Sequence, residues 1–127
     1  MQLEKLHQVA VYSRDLDETK TFYEETLGAK LLAYFEGPPG LLFFDFHGTR
    51  ILFEKAAHTA TLYFRVEDLN ASYEELKAKG VAFVGKPHPI FRDEQGIFGT
   101  AGHVESMAFF KDPSGNTLAL AAQQPPE

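Results

Sequence analysis

The sequence predicts an α+β fold made of two successive βαβββ modules. Three observations predict it. The chain repeats itself: QVAVYSRDL at 8–16 is echoed by TLYFRVEDL at 61–69, with Asp15 and Asp68 in matching places 53 positions apart. Each copy runs into a stretch of helical periodicity that ends at a glycine, Gly28 or Gly80. Three strand-like runs then follow in each half.

Each element has a local reason. In the first module the alternation of QVAVY marks a strand. Asp15 can cap the helix behind it, with Glu18 at the capping-box position. Leu16, Phe22, Tyr23 and Leu27 supply the apolar stripe, and Gly28 a left-handed stop. The strands KLLAYFE, LLFFDFHG and TRILFE come next, with Gly37-Pro38-Pro39-Gly40 and His47-Gly48 as turns. The second module repeats the plan. Asp68 caps, Leu69, Tyr73 and Leu76 form the stripe, and Gly80 stops the helix. VAFVG, ESMAFFKD and NTLALAA are its strands, with Pro113-Ser114-Gly115 as the last turn and QQPPE as a fraying tail. Gly48 and Gly115 lie 67 residues apart, against 53 for the Asp-Leu pairs, so the second half carries an insertion of about 14 residues. It falls in 86–103, KPHPIFRDEQGIFGTAGH, as a long loop. Gly96, Gly99 and Gly102 suit a mobile lid there and equally a loop that is simply disordered, whereas GIFGTAG lacks the ending of a phosphate loop.

Composition limits what such a domain can do. The chain has 127 residues, one ordinary domain, and 44% of them are hydrophobic, enough for a real core. The expectation is a single domain over 1–127, with module one at about 5–56 and module two at about 59–122. A net charge of −6 speaks against nucleic acid, which needs a basic face, and against anionic membranes. With no cysteine there is no disulfide, thiolate metal site or cysteine nucleophile. No run is apolar enough to span a membrane, and MQLEKLHQVAV has no signal-peptide layout, so a cytoplasmic protein is expected.

Strand alternation separates two sheet faces. Val9, Val11, Ile51, Phe53, Leu62, Phe64, Leu118 and Leu120 share the helix-packed face. Gln8, Tyr12, Arg50, Glu54, Thr61, Tyr63 and Arg65 share the other, with Ala119 and Ala121 among them. Aromatic walls with a few polar groups describe a ligand pocket better than a wetted sheet. These residues, with His88, are the expected ligand-binding set.

The Asp-Leu pairs in register, FYEETLGAKL (22–31) and FFKDPSGNTLAL (109–120) resemble the vicinal oxygen chelate superfamily of glyoxalase I, bleomycin-resistance proteins and extradiol dioxygenases. The resemblance covers nearly the whole chain. It implies paired βαβββ modules forming a curved mixed sheet around a cavity, a small-molecule ligand and a homodimer. It further implies four metal-ligand positions, which fall on Gln8, Leu52, Thr61 and Ala119. Gln8 suits a metal, Thr61 is a poor ligand, and Leu52 and Ala119 have no donor. A slip in register brings His7 or His58 near these positions, but alternation points His7 away from Gln8. No cofactor is assigned from this set, and a divalent metal stays open.

Two functional classes stay open. One is a binding protein that holds a small organic molecule without the usual metal. Tyr12 and Tyr63 with the acidic balance suit a cationic ligand, whereas Arg50 and Arg65 suit a carboxylate or phosphate. The other is a lyase, isomerase or dioxygenase with a non-standard site. Its candidate catalytic residues are Glu54, His103 and Glu105, and a divalent metal would be sought first at Gln8 and His103. A structural dimer partner with no ligand is a third, lesser reading.

Overall fold

The computed structural model describes residues 1–126. Strand β1 (Gln8–Tyr12) leads into helix α1 (Leu16–Thr21), and the Asp15 carboxylate accepts the Glu18 amide at 3.1 Å, as a cap should. The capping box stays open on its other side. Glu18 turns its carboxylate to Arg14 instead, at 2.8 and 2.9 Å. The helix then widens into a π-helical turn over Phe22–Thr26, where the Leu27 amide reaches the Phe22 carbonyl. Gly28 stops it at φ +71°. Strands β2 (Lys30–Phe35), β3 (Leu41–Phe46) and β4 (Thr49–Glu54) complete the module.

The second module follows the same order with β5 (Thr61–Arg65), α2 (Leu69–Ala78), β6 (Phe83–Asp93), β7 (His103–Lys111) and β8 (Thr117–Gln124). Asp68 caps α2 through the Ala71 amide at 3.0 Å, and Gly80 ends it at φ +93°. Each module carries its own four-stranded mixed sheet, in the orders β1-β4-β3-β2 and β5-β8-β7-β6. The first pair in each is parallel and the others antiparallel. The α+β fold of paired βαβββ modules is thus the one expected.

Two expectations need correction. The insertion is not one long loop: β6 runs on through Lys86 to Asp93, leaving only 94–102 outside the strands. Pro87 and Pro89 are tolerated because β6 is an edge strand, where a missing amide costs no ladder bond. The extra residues enter as irregularities between Val84 and His88 and between Pro89 and Phe91. At the other end Gln123 and Gln124 are strand residues paired with Glu105 and Val104, not a frayed tail.

The chain divides into two compact units, Met1–Ala60 with Asp112–Asn116, and Thr61–Lys111 with Thr117 onward. In the first unit Tyr23, Phe44 and Phe53 are wholly buried, with the Tyr23 and Phe53 rings 4.5 Å apart. Aromatic pairs of this kind add about 1 kcal/mol each beyond their area. Tyr23 also carries a polar anchor. Its hydroxyl donates to Asp112 Oδ2 at 2.7 Å, and Asn116 Nδ2 and two backbone amides complete the shell of that carboxylate. Burial, together with the Asp112 charge and bond, pushes the Tyr23 phenol far above its ordinary pKa, so it remains a donor. Asn116 also donates to the Tyr12 carbonyl and accepts from the Ala60 amide. The DPSGN segment therefore acts as a polar core element as well as a turn. In the second unit Leu69, Tyr73 and Leu76 of α2 are buried, with Tyr73 against Phe83 at 4.6 Å and Phe83 against Phe110 at 5.1 Å.

Candidate ligand cavity

Alternation along β5, β7 and β8 turns Tyr63 and Arg65, His103 and Glu105, and Ala121 and Gln123 toward one face of the second sheet. These residues line a cavity of about 420 Å³ with Ala122, Phe98, Gly99 and Thr100. The volume lies in the range of sites that hold small organic molecules. Ala121 leaves the floor shallow, and Tyr63 and Phe98 are 56% and 70% exposed, so two aromatic faces are open to a ligand. Among the described residues the side chains of Arg65, His103 and Glu105 have no hydrogen-bond or ion-pair partner. A cation, a carboxylate and an imidazole thus face the space with their bonding capacity unused.

The fourth wall comes from the insertion, and one carboxylate organises it. Asp93 is 3% exposed. It accepts the amides of Ile97, Phe98 and Gly99 at 2.8, 3.0 and 3.0 Å, with Gln123 Nε2 at 3.3 Å. Its own carbonyl accepts from Gly102 at 2.7 Å and closes the loop. Burial alone would raise the Asp93 carboxyl. The bonds from Phe98, Ile97, Gln123 and Gly99 outweigh it and hold the group below the usual carboxylate value. Asp93 thus ties this loop together as one wall of the cavity. Gly99 has a steric role: a Cβ there would collide with Gln123 Oε1.

The other sequence candidates sit elsewhere. Gln8, Tyr12, Arg50 and Glu54 belong to the first unit, where β1 and β4 pair Gln8 with Arg50 and Tyr12 with Glu54. Arg50 Nε donates to Gln8 Oε1, and its Nη2 lies against His7 Nε2, both at 2.9 Å. His7 precedes β1, so alternation does not govern it, and it meets the same guanidinium as Gln8. Thr61 and His88 do not line the cavity. His88 is instead tied to the Lys86 carbonyl at 3.0 Å and lies 6.0 Å from the Phe109 ring. A second depression, in the first unit, is lined by Asp15, Asp17 and Glu18, but each of these is already engaged, as a cap, by Tyr34 and by Arg14. Sequence reasoning missed Phe98, Gly99, Thr100, Ala122 and Gln123. Extending the Ala119, Ala121 alternation by one step would have found Gln123.

The model of the Glyoxalase/Bleomycin resistance protein/Dioxygenase superfamily matches residues 5–120. The chain belongs to that superfamily. It is 28% identical over 129 residues to the uncharacterized protein YetH of Bacillus subtilis (strain 168), covering 93% of this chain and 98% of YetH. Among solved structures it is similar to TnmS3, an antibiotic binding protein from Streptomyces sp. CB03234. The identity there is 26% and the TM-score 0.73, over 98% of this chain and 99% of TnmS3. Lactoylglutathione lyase from Agrobacterium tumefaciens shares the fold at 16% identity and TM-score 0.70, over 96% of each chain.

The superfamily's metal chemistry can be tested against the residues present. Leu52 and Ala119 are hydrocarbon and buried, at 7% and 0% exposure. Gln8 offers its oxygen to a guanidinium, a poor neighbour for a second cation. Among the described residues no group of three or more His, Asp and Glu side chains is placed to hold a metal ion. The four positions do not fit one. Among the described residues, too, no helix is long and apolar enough to cross a membrane.

Proposed function

We propose that this protein binds a small organic molecule in the cavity of the second unit, in the cytoplasm and without the superfamily's metal site. The observation that carries the reading is the cavity itself: about 420 Å³, open aromatic faces at Tyr63 and Phe98, and unpartnered Arg65, His103 and Glu105. The likeness to TnmS3, which binds an antibiotic, supports it. So does the poor fit of Gln8, Leu52, Thr61 and Ala119 to a metal. The test is a thermal-shift screen of aromatic natural products and antibiotics, followed by calorimetric titration of the hits against wild type and Arg65→Ala. Saturable one-to-one binding that weakens tenfold or more in Arg65→Ala supports the reading. Hits that bind both proteins equally refute it.

A second reading has its own observation. His103 and Glu105 are two residues apart on β7, both in the cavity wall and both unpartnered. An imidazole and a carboxylate so placed can share acid–base work on a bound substrate. Turnover of a bound hit that disappears in both His103→Ala and Glu105→Gln, with binding retained, would establish it. The protein is proposed to act as one domain, modules about 5–56 and 59–122, and as a homodimer. A single cooperative unfolding transition and the mass in solution by light scattering test these two points.

A further inference from the structure

The first unit carries a fixed cation on the face of its sheet that the helix does not cover. Arg50 is held on two edges and one face: Nε by Gln8 Oε1, Nη2 by His7 Nε2, and the plane by the Phe43 ring, 5.4 Å from its centroid. Arginine has no acceptor, so in this contact the guanidinium donates and His7 Nε2 accepts. Such a guanidinium has lost its rotamer freedom before any ligand arrives. Its Nη1 donors have no partner among the described residues, and no carboxylate pairs with it. Asp45 is its cross-strand neighbour, yet makes no ion pair with it and spends one oxygen on the Gly48 amide.

Sheet register describes what surrounds this charge. Gln8, Arg50, Asp45 and Lys30 form one row across β1, β4, β3 and β2. Ala10, Leu52, Phe43 and Ala33 form the next row on the same face, about 6.6 Å along the strands. A charged row thus borders an apolar one whose width is about 15 Å, three interstrand spacings. Where superfamily register would place a metal at Gln8, this chain places an organic cation beside a hydrocarbon floor.

We infer that Arg50, positioned by Gln8, His7 and Phe43, is a binding site for a monoanionic aromatic carboxylate. The carboxylate takes the free Nη donors and the ring lies against the exposed Ala10 and the part of Phe43 that Arg50 leaves open, beside the buried Leu52. Asp45, directly beside Arg50, disfavours a second negative charge more than Lys30, one strand further away, favours it, so a carboxylate fits better than a phosphate dianion. The site is built from first-unit residues alone, whereas the cavity assigned above is lined by residues of the second.

The test is fluorescence titration with naphthoate, with neutral naphthamide as its isostere and phenyl phosphate as the dianion. Naphthoate should saturate and bind at least tenfold more tightly than either. Arg50→Lys should lose about tenfold, since an ammonium cannot offer the planar fork. Gln8→Glu should lose at least as much with Arg50 still in place, because the new carboxylate neutralises it. Arg65→Ala should change nothing. Thermal melts of each variant show that the fold is retained, and Gln8→Glu keeps the test open if Arg50→Lys unfolds. Equal binding of naphthoate and naphthamide, no saturable naphthoate binding, or wild-type affinity in Arg50→Lys and Gln8→Glu overturns the inference. Loss of naphthoate binding in Arg65→Ala alone overturns it too, while leaving the cavity reading intact.

Discussion

Tyr23 and Tyr34 make the same bond in two environments, and the difference between them is measurable. Each hydroxyl donates to an aspartate oxygen at 2.7 Å, Tyr23 to Asp112 and Tyr34 to Asp17. Tyr23 is fully buried and its acceptor is 5% exposed, whereas the Tyr34 pair lies at the surface. Removing the hydroxyl by Tyr23→Phe leaves a buried carboxylate with three donors instead of four. A hydrogen bond to a charged group is worth about 1.5–3 kcal/mol, so a loss of about 2 kcal/mol is expected. For a chain of this length that is a fall in Tm of roughly 7 °C. Tyr34→Phe leaves Asp17 to water and should stay within about 0.5 kcal/mol. The hydrogen bond to Asp17 raises the Tyr34 phenol to about 12, so its hydroxyl is a donor throughout the working range. Urea denaturation of the two variants and wild type gives the comparison directly. Equal losses, or a Tyr23→Phe variant as stable as wild type, would show that burial does not set the worth of this bond.

Other outcomes follow from the cavity wall. The depressed Asp93 carboxyl stabilises its loop fully above the unfolded value of about 3.9, and the contribution is lost as pH falls through the lower folded value. Hydrogen exchange of the Ile97, Phe98 and Gly99 amides, divided by the intrinsic rate at each pH, should therefore accelerate below about pH 4 in wild type. In Asp93→Asn it should be faster at neutral pH and lack that acid step. Phe98→Ala should leave stability within about 0.5 kcal/mol, since the ring is 70% exposed, and weaken a cavity ligand roughly tenfold by uncovering about 60 Å² of apolar contact. Calorimetry and a thermal melt on the same sample read both. Gly99→Val should push Gln123 off Asp93 and cost about 1 kcal/mol, which denaturation midpoints will show.

The repeat made much of this fold legible. Asp15 and Asp68 cap, and Gly28 and Gly80 stop, because caps and left-handed ends depend on residues within a few positions of one another. Alternation placed Gln8 with Arg50, and Tyr63 with Arg65, on the correct faces because a strand has only two. What alternation could not supply was how far each strand runs. Pro87 and Pro89 are compatible with a strand only because β6 is an edge, which no local pattern announces. His7 escaped because it stands one residue before the strand that would have oriented it. Asp93 was read only as part of a loop, since its value lies in three amides that converge once the loop closes. Asp112 was noticed as part of a motif, but its bond to Tyr23 spans 89 positions and has no local signature.

The membership of Asp112–Asn116 in the first unit has a consequence for how the protein is made. On the ribosome, residues 1–60 are synthesised long before the segment that completes them. Until it emerges, the Tyr23 hydroxyl, the Tyr12 carbonyl and the Ala60 amide lack their native partners. The nascent first module must wait, half-sealed, until residues 112–116 are free to join it. Although the repeat reads like two copies joined end to end, cutting the gene at the seam would release a first half missing part of its own interior.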